Sequence, residues 1–425
     1  MAKILKHILR ILSKLILKKY KSEIIAITGS VGKTSAKEAI GQILSKKFKV
    51  RRTSGNLNNE IGVPLTIIGF TKSPNKSIFG WILVFIRAIN LLIFRDKKYP
   101  TKLIIEMGAD HPGDIEYLVD FIPVNIGVLT KVSKVHVEFF KSIEGVLNEK
   151  RKIFSKMSKD SYAVLNNDDE KVASLKNELK CKTITFGIKN ESDVWATDLQ
   201  IVKKEGVLGM NFKIRYGGNV VPVFIPDSLG LAQVYAFLTA TTIGLIYGMN
   251  LVEISIFAKH YISPHGRTRL INGIKDSYII DDTYNSNPDA VKVAIDLLLD
   301  MKSLISGKKI AVLGDMLELG EESEKLHEEI GKYIFDKNDI DYVLTIGKDT
   351  KHIYNYLQKN LFKNSYHFET KDELIKYLKS ILERDSLILV KGSQGARMEF
   401  IVRTIMKSPG LASKLLVRQG REWLN

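Results

Sequence analysis

The residues with the clearest chemistry form a short glycine-containing loop in the stretch "AITGSVGKTSAKEAI" (26–40). A β-branched run, "EIIAIT", precedes the loop, and a helical pattern, "KTSAKEAIGQILSKKF", follows it. A glycine turn between a strand and a helix lets backbone N–H groups and the helix N-terminus surround phosphate groups. The side chain of Lys33 would then reach the terminal phosphates of a nucleotide, and the Thr34 hydroxyl would bind Mg²⁺. The predicted phosphate-binding residues are Gly29, Ser30, Val31, Gly32, Lys33, Thr34 and Ser35.

Two further polar residues follow apolar runs that are predicted to be strands. Glu106 ends "LIIEMG", and His136 comes after "VLTKV". Ligands of open α/β sheets collect outside the carboxyl ends of the strands. We therefore expect Glu106 and His136 to lie near the loop, where a carboxylate and an imidazole can hold metal ions.

The elements that must position these residues alternate between strand and helix patterns from residue 23 onwards. Such alternation predicts an α/β fold with a mostly parallel sheet. Residues 191–226 are richer in strand patterns and suggest an appended antiparallel sheet. After "SPHGRTRL" (263–270) the alternation starts again, which predicts a second, Rossmann-like α/β domain. The predicted domains are 1–22, a basic amphipathic helix; 23–262, the nucleotide-binding domain; and 263–425.

Composition narrows the class of protein. The chain has 425 residues and a formal net charge of +17, which favours an anionic partner. No signature of an RNA-binding module or zinc finger is present, so nucleic acid is not a predicted partner. The single cysteine, Cys181, excludes an internal disulfide and fits a reducing compartment.

Two apolar segments are unusual. The first, "KILKHILRILSKLILKKYK", predicts an amphipathic helix with a cationic face, and lysines interrupt it too often for a signal peptide. The second, residues 77–94, is nearly all apolar but contains Arg87 and Asn90, which disfavour a membrane span. We interpret both as membrane-interface segments. The alternative, which is compatible with the first, is that the two segments pack together as a hydrophobic subdomain.

Longer stretches of the sequence resemble the ATP-dependent Mur ligases of peptidoglycan synthesis, and most closely the MurF type. The resemblance spans about residues 23–405, and its motifs occur in the family's order. The matching stretches are "ITGSVGKTSAKE", "GNLNNEIGVPLT" (55–66), "IIEMGADHPGDIEYL" (104–118), "LTKVSKVHVEFFKSIEGVLNEKRKIF" (129–154), "GRTRLI", "IIDDTYNSNPDA" (279–290), "VLGDMLELGEESEKLHEEIG" (312–331) and "LVKGSQGARMEFIV" (389–402).

The resemblance implies a reaction and roles for its catalytic residues. A carboxylate of a muramoyl-tripeptide attacks the γ-phosphate of ATP, and the amine of D-alanyl-D-alanine then attacks the resulting acyl phosphate. Thr34 and Glu106 would hold a first Mg²⁺, and His136 would hold a second. Lys150 lies at the family's spacing from His136 for a lysine carbamylated by CO₂, which would become a metal-binding carboxylate.

The resemblance also implies contacts outside the metal site. Arg267 would approach the γ-phosphate, and Asp282 and Asn285 would contact the nucleotide. The residues that it places on the substrate side are Asn58, Asn59, Thr66, Lys391 and Ser393. It further implies a monomer.

The sequence departs from the MurF pattern in four places, one of which is Lys131-Val132-Ser133, where the family usually has Asn-Val-Gly. Only 22 residues precede the domain that binds ATP, where the family carries a domain that grips the UDP end of the substrate. Ala236 stands where the family has an asparagine against adenine, and residues 77–94 are an insertion. These departures lead to the hypothesis of a ligase at the inner face of the cytoplasmic membrane. A related ligase with another acceptor, lipid-linked or non-murein, and a non-catalytic membrane scaffold are the alternatives.

Overall fold

The structure is a computed structural model that describes residues 2–133, 137–140, 142–301, 304–420 and 423. It divides into two compact units. The first consists of residues 1–199, 212–223 and 232–261, and the second of residues 200–211, 224–231 and 262–425. No helix in the described ranges is both long and apolar enough to cross a bilayer.

The first sheet is mostly parallel and has the order β2-β3-β1-β4-β5-β6-β7-β8-β9. Its strands are β1 (Glu23–Thr28), β2 (Val50–Arg52), β3 (Lys102–Glu106), β4 (Val124–Leu129), β5 (Tyr162–Asn166), β6 (Lys182–Gly187), β7 (Val194–Lys204), β8 (Val207–Tyr216) and β9 (Asn219–Pro226). Strands β1 to β6 pair in parallel. Because β1 lies between β3 and β4, the loop after β1 has the ends of both neighbours beside it.

Strands β7, β8 and β9 continue the same sheet rather than forming a separate one. Two-residue turns connect them, and Glu205, Gly206, Gly217 and Gly218 all have φ between +52° and +83°. Positive φ at both central residues is the geometry of a tight β-hairpin. The antiparallel character expected for residues 191–226 therefore appears as a hairpin extension of the parallel sheet.

The helices before residue 262 connect these strands and cover the sheet. They are α1 (Ala2–Tyr20), α2 (Lys33–Leu44), α3 (Gly62–Ile68), α4 (Ile78–Ile93), α5 (Asp114–Val119), α6 (Val137–Phe140), α7 (Ile143–Lys150), α8 (Glu170–Ala173), α9 (Leu231–Ile246) and α10 (Leu251–Ala258), with 3₁₀ turns at Arg151–Phe154 and Ser174–Asn177. One face of the core joins α1, α3 and α4 to the strands through buried side chains such as Leu9, Ile16, Val84 and Ala88. The two unusual apolar segments thus pack together in the first unit.

The second sheet has the order β10-β11-β15-β12-β13-β14, and only β10 runs antiparallel to its neighbour among the paired strands described. Its strands are β10 (Arg269–Asn272), β11 (Tyr278–Asp282), β12 (Lys309–Gly314), β13 (Tyr342–Ile346), β14 (Ser365–Phe368) and β15 (Leu387–Lys391). Its helices are α11 (Pro288–Asp300), α12 (Ser323–Lys337), α13 (Lys351–Lys359), α14 (Lys371–Ile381), α15 (Glu399–Ile405) and α16 (Ala412–Leu415), with 3₁₀ turns at Ile274–Asp276, Gly320–Glu322, Gln394–Ala396 and Pro409–Leu411. Two separate apolar clusters cover its two faces. The predicted fold class, α/β with mostly parallel sheets in two domains, is confirmed.

Candidate active site

The glycine loop lies between β1 and α2 and can only be built with glycine at its first turn. A Cβ atom on Gly29 would lie 2.0 Å from Thr130 Oγ1, and Gly32, with φ +89°, is the residue before the first turn of α2. The end of β4 braces the loop: the Ser30 N–H donates to the Lys131 carbonyl at 2.6 Å. Thr130 Oγ1 also donates to the Val31 carbonyl at 2.6 Å. The backbone is therefore fixed around the positive N-terminal end of α2, as phosphate binding requires.

Lys33 is the first residue of α2, and its ammonium group lies against the glycine loop. Lys33 Nζ donates to the Gly29 carbonyl at 2.7 Å. A carbonyl is a weak partner for a full positive charge, so a phosphate oxygen arriving at the loop would be a stronger one. Ser35, in contrast, is buried in the helix.

Glu106 lies beside the loop because β3 pairs with β1 in register, with Ile27 opposite Glu106. Its side chain is buried. Thr34 Oγ1 donates to Glu106 Oε1 at 3.3 Å, and Asn58 Nδ2 lies 3.4 Å from the same oxygen. Glu106 Oε2 is buried and accepts no hydrogen bond from the described residues, although Lys37 Nζ lies 3.4 Å away. The buried carboxylate thus has one oxygen with capacity for a further partner.

These oxygen atoms suit Mg²⁺. Two ligands that share one octahedral Mg²⁺ at 2.0–2.1 Å lie about 3 Å apart, close to the observed separation of Thr34 Oγ1 and Glu106 Oε1. Within the described ranges, no group of three or more His, Cys, Asp and Glu side chains could hold a metal alone. A site with few protein ligands, completed by water and phosphate oxygens, is the usual arrangement for Mg²⁺. His136, predicted as a second metal ligand, lies outside the described residues.

Lys150 is the last residue of α7 and is buried. Its neighbour Glu149 fixes this end of the helix by accepting N–H bonds from Gly113 at 2.9 Å and Ile115 at 2.8 Å. Burial, with repulsion from Lys33, lowers the pKa of the Lys150 amine to about 7. The amine is therefore largely uncharged just above neutral pH, unlike an exposed lysine.

The predicted substrate-side residues of the first unit divide into two groups. Asn58 reaches Glu106 and so belongs to the site. Asn59 Oδ1 instead accepts from the Gly62 N–H at 2.8 Å at the start of α3. Thr66 is buried, and its hydroxyl donates to the Gly62 carbonyl at 3.1 Å. Both therefore make local contacts that shape α3.

In the second unit, Asp282 and Lys391 end the neighbouring strands β11 and β15 in register. Lys391 Nζ donates to Asp282 Oδ2 at 2.6 Å and to the Asn285 carbonyl at 3.0 Å, and both charged residues are buried. Ser393 is also buried, where its Oγ accepts from the Leu317 N–H at 2.9 Å. The predicted residues thus converge on one edge of the second sheet, with most of their polar atoms already bonded.

The half-buried Arg267 lies in the loop before β10, with its guanidinium 4.1 Å from the centre of the Tyr284 ring. Asp281 supports this loop by accepting from the Gly266 N–H at 3.1 Å. Burial raises the pKa of the Asp281 carboxyl to about 6. The loop that carries Arg267 is therefore held by backbone contacts to β11 and the residues after it.

Two of these residues were missed by the sequence analysis. Lys37 faces Glu106, and its spacing of one helical turn from Lys33 was a usable signal. Nothing in the sequence distinguished Asp281, because the resemblance assigned the role of this motif to the adjacent Asp282. Ala236, which stands where the family has an asparagine against adenine, is buried in α9.

A glycine loop, a threonine and a buried glutamate at the carboxyl ends of parallel strands define a nucleotide-binding α/β protein with a second α/β domain. Comparison with known families then identifies the family. Residues 27–79 and 87–242 match the Mur ligase middle domain, and residues 266–394 match the Mur ligase, glutamate ligase domain. The chain belongs to the Mur ligase family, as the motifs predicted.

Individual relatives agree with this result. The chain is 34% identical over 387 residues to the UDP-N-acetylmuramoyl-tripeptide–D-alanyl-D-alanine ligase of Buchnera aphidicola subsp. Baizongia pistaciae, covering 90% of this chain and 75% of that protein. The crystal structure of MurF from Acinetobacter baumannii superposes with a TM-score of 0.78 at 25% identity, covering 95% of this chain and 80% of that chain. The MurF ligase from Thermotoga maritima in complex with ADP gives a TM-score of 0.74 at 25% identity, covering 93% and 82%. The predicted resemblance to the MurF type and the predicted class, an ATP-dependent ligase, are confirmed.

Proposed function

We propose that the protein joins D-alanyl-D-alanine to a UDP-linked muramoyl-tripeptide with ATP, giving ADP and phosphate. The proposal rests on one observation above all: a buried glutamate, a threonine and a phosphate-binding loop meet in a chain whose relatives carry that activity in their names. In the first step a substrate carboxylate oxygen bonds to the γ-phosphorus, and the bond to the ADP oxygen breaks. In the second step the dipeptide amine bonds to the acyl carbon and loses a proton, and phosphate leaves with the C–O electron pair.

In this proposal the residues of the first unit position and neutralise the phosphates. Lys33 would exchange its bond to the Gly29 carbonyl for a bond to a terminal phosphate oxygen. Lys37 would hold the Glu106 carboxylate, and Asn58 would orient it towards the loop. Phosphoryl transfer depends mostly on such positioning and charge neutralisation.

Two Mg²⁺ ions complete the proposal. Thr34 and Glu106 would hold the first, and His136 and Lys150 would hold the second. When bound, the ions neutralise developing charge on the phosphate oxygens. Lys150 would serve after its neutral amine adds to CO₂ and loses a proton, which forms a carbamate. Its burial and its lowered pKa support this modification, since a charged amine cannot attack CO₂.

The second unit would act on the nucleotide and the dipeptide. Arg267, Asp282 and Asn285 are proposed to contact the nucleotide, and Lys391 and Ser393 the incoming dipeptide. Because Asp282 and Lys391 form a buried ion pair, we expect the two side chains to contact the ligands together and not independently. The domain boundaries at residues 22/23 and 262/263, and the monomeric state, stay predictions.

A cytoplasmic location at the inner face of the membrane, with peripheral contact, is part of the same proposal. The second candidate function, ligation to a lipid-linked acceptor, is favoured by one specific contact. Lys6 of α1 forms an ion pair with Glu60 at 2.5 Å, and Glu60 follows Asn58 and Asn59 closely in sequence. The loop proposed to face the acceptor is thus joined to a helix that exposes apolar side chains.

Phosphate release measured across a panel of acceptors tests these functions. We expect turnover only when ATP, D-alanyl-D-alanine and a muramoyl-tripeptide are all present, with the UDP-linked acceptor active. Turnover only with a lipid-linked acceptor would establish the second candidate instead, and turnover only with a non-murein acceptor would establish a related ligase with another substrate. A complete absence of acceptor-dependent turnover, in a preparation that binds ATP, would favour the non-catalytic scaffold.

A further inference from the structure

Helix α4 exposes an unusually apolar surface. The side chains of Ile78, Phe79, Ile82, Leu83, Ile86 and Ile89 are each between 44% and 78% exposed. The opposite side of the helix is in the core through Val84, Ala88 and Leu91. Contiguous exposed apolar surface of this kind marks an interaction site in soluble proteins.

Helix α1 packs against α4, also exposes apolar side chains and is itself fixed in the fold. It exposes Ile4, Ile8, Ile11 and Leu15, at a spacing that puts them on one side of the helix. Lys19 of α1 donates to the carbonyls of Leu91 and Leu92 at 3.0 and 2.8 Å, which satisfies the C-terminal end of α4. The two helices are therefore joined, and we call their exposed apolar sides together the α1–α4 face.

The contacts of α1 change the interpretation of its basic residues. Lys6 pairs with Glu60 and Arg10 pairs with Asp120, so these two charges bind the protein itself. Leu9 and Ile16 are fully buried in the core of the first unit. Helix α1 is thus a structural element, and the part of the face with most exposed apolar surface is α4.

The charged side chains of helices α1 and α4 are all basic. Neither helix contains an Asp or Glu, and the acid after α4, Asp96, is paired with Arg87 at 2.6 Å. Exposed basic residues lie along α1 and next to both ends of α4: Lys3, Lys14, Lys18, Lys76, Arg95 and Lys97. An apolar surface with a cationic border is complementary to an anionic lipid leaflet.

We propose that the α1–α4 face binds an anionic bilayer, with α4 lying in the interface and its exposed side among the first acyl carbons. This specifies the surface for the membrane contact in the proposed function, on which it rests. With 16 residues, α4 is about 24 Å long, shorter than the roughly 30 Å hydrocarbon core, so it lies on the membrane rather than crossing it. A second copy of the chain is a poorer occupant, because two cationic borders would meet.

Vesicle co-sedimentation of the full chain tests the proposal. The test variant is the double substitution Phe79→Glu, Ile86→Glu on α4. The matched control is Val252→Glu, Ile256→Glu on α10, where the two side chains are 57% and 60% exposed in the same unit. We expect the unmodified protein and the control to sediment with vesicles of phosphatidylglycerol and phosphatidylcholine. The α4 variant should partition about tenfold less, and all three proteins should bind pure phosphatidylcholine weakly.

Two further measurements separate the possible results. Size-exclusion chromatography without lipid should give the same elution for all three proteins. Ligase turnover with a soluble acceptor should also be the same, so a loss of vesicle binding is distinguished from a failure of the proposed reaction. Equal vesicle binding by the α4 variant and the control would overturn the proposal. A dimer in the unmodified protein that the α4 substitutions dissociate, with no vesicle binding, would do so too and would assign the face to a second copy.

Discussion

Glu106 in the first unit and Asp282 in the second occupy equivalent positions in unrelated surroundings. Each carboxylate ends a strand at the carboxyl edge of a parallel sheet, and each has a buried lysine beside it. Lys391 Nζ is hydrogen-bonded to Asp282 at 2.6 Å, whereas Lys37 Nζ stays 3.4 Å from Glu106. Glu106 also retains an oxygen with no hydrogen bond among the described residues.

This difference in bonding distinguishes a buried ion pair that stabilises a fold from one that belongs to a proposed ligand site. The Asp282–Lys391 pair is already neutral and bonded, so its removal is expected to destabilise the second unit, in addition to any loss of the nucleotide and dipeptide contacts proposed for these two residues. The partly bonded Glu106 carboxylate lies beside Thr34 and Lys37, and the buried Lys150 is repelled by Lys33 of the glycine loop. In the proposed function, metal and phosphate would complete the bonding of these groups, so loss of the Glu106 charge is expected to affect turnover more than folding.

The largest effect is expected from Glu106→Gln. The amide keeps the size of the side chain but removes the charge that would hold Mg²⁺, so ATP turnover should fall roughly a thousandfold, about 4 kcal/mol of barrier. Phosphate release at saturating ATP measures this. Glu116→Gln, at an exposed position of the same unit, is the matched control and should leave turnover unchanged.

Glu106→Gln could instead lower the urea midpoint of unfolding strongly and turnover only slightly. Glu106 and Asp282 would then no longer differ in whether their loss affects turnover or stability. Glu106 would then be a structural acid like its counterpart. Retention of turnover at all Mg²⁺ concentrations would contradict the metal assignment directly.

The next largest effect is expected from Lys391→Met. This change leaves the Asp282 carboxylate buried without its cation, which should destabilise the second unit by about 3–5 kcal/mol. Urea unfolding followed by Trp423 fluorescence, in a Trp81→Phe, Trp195→Phe background, reports on that unit. Adding Asp282→Asn should recover much of the stability, because the uncompensated charge is removed.

Lys407→Met provides the comparison for Lys391, since the Lys407–Asp276 pair at 3.0 Å is exposed on the same unit. Its unfolding midpoint should not change measurably, because exposed ion pairs contribute little. Equal midpoints for the Lys391 and Lys407 variants would show that burial of the Asp282–Lys391 pair does not stabilise the fold.

The sequence was sufficient for the parts of the site that depend on local patterns. The strand, glycine loop and helix predicted where Lys33 and Thr34 lie, and the position of Glu106 at a strand end predicted its place beside them. The hydrogen bond between Asp282 and Lys391 could not be predicted from local sequence patterns, because 109 positions separate the two residues. The periodicity of α1 and of residues 77–94 showed apolar sides, but not that Lys19 joins the two helices.

The smallest expected effect concerns pH and Lys150. Because its pKa is lowered to about 7, the amine is mostly charged at pH 6 and mostly neutral at pH 8. Carbamate formation needs the neutral amine and releases a proton, so both requirements favour higher pH. Turnover at fixed bicarbonate should therefore rise about tenfold between pH 6 and pH 8 and then level off, following the neutral fraction.

A spectroscopic signal distinguishes this cause from other titrations. With ¹³C-bicarbonate, the protein should give a carbamate ¹³C resonance at pH 8 that weakens at pH 6. The resonance should be absent from Lys150→Met and retained in Lys159→Met, whose side chain is exposed. A carbamate resonance that persists in Lys150→Met would place the modification elsewhere. A pH profile that rises without any resonance would assign the pH dependence to a cause other than carbamate formation and leave Lys150 as a buried, unmodified amine.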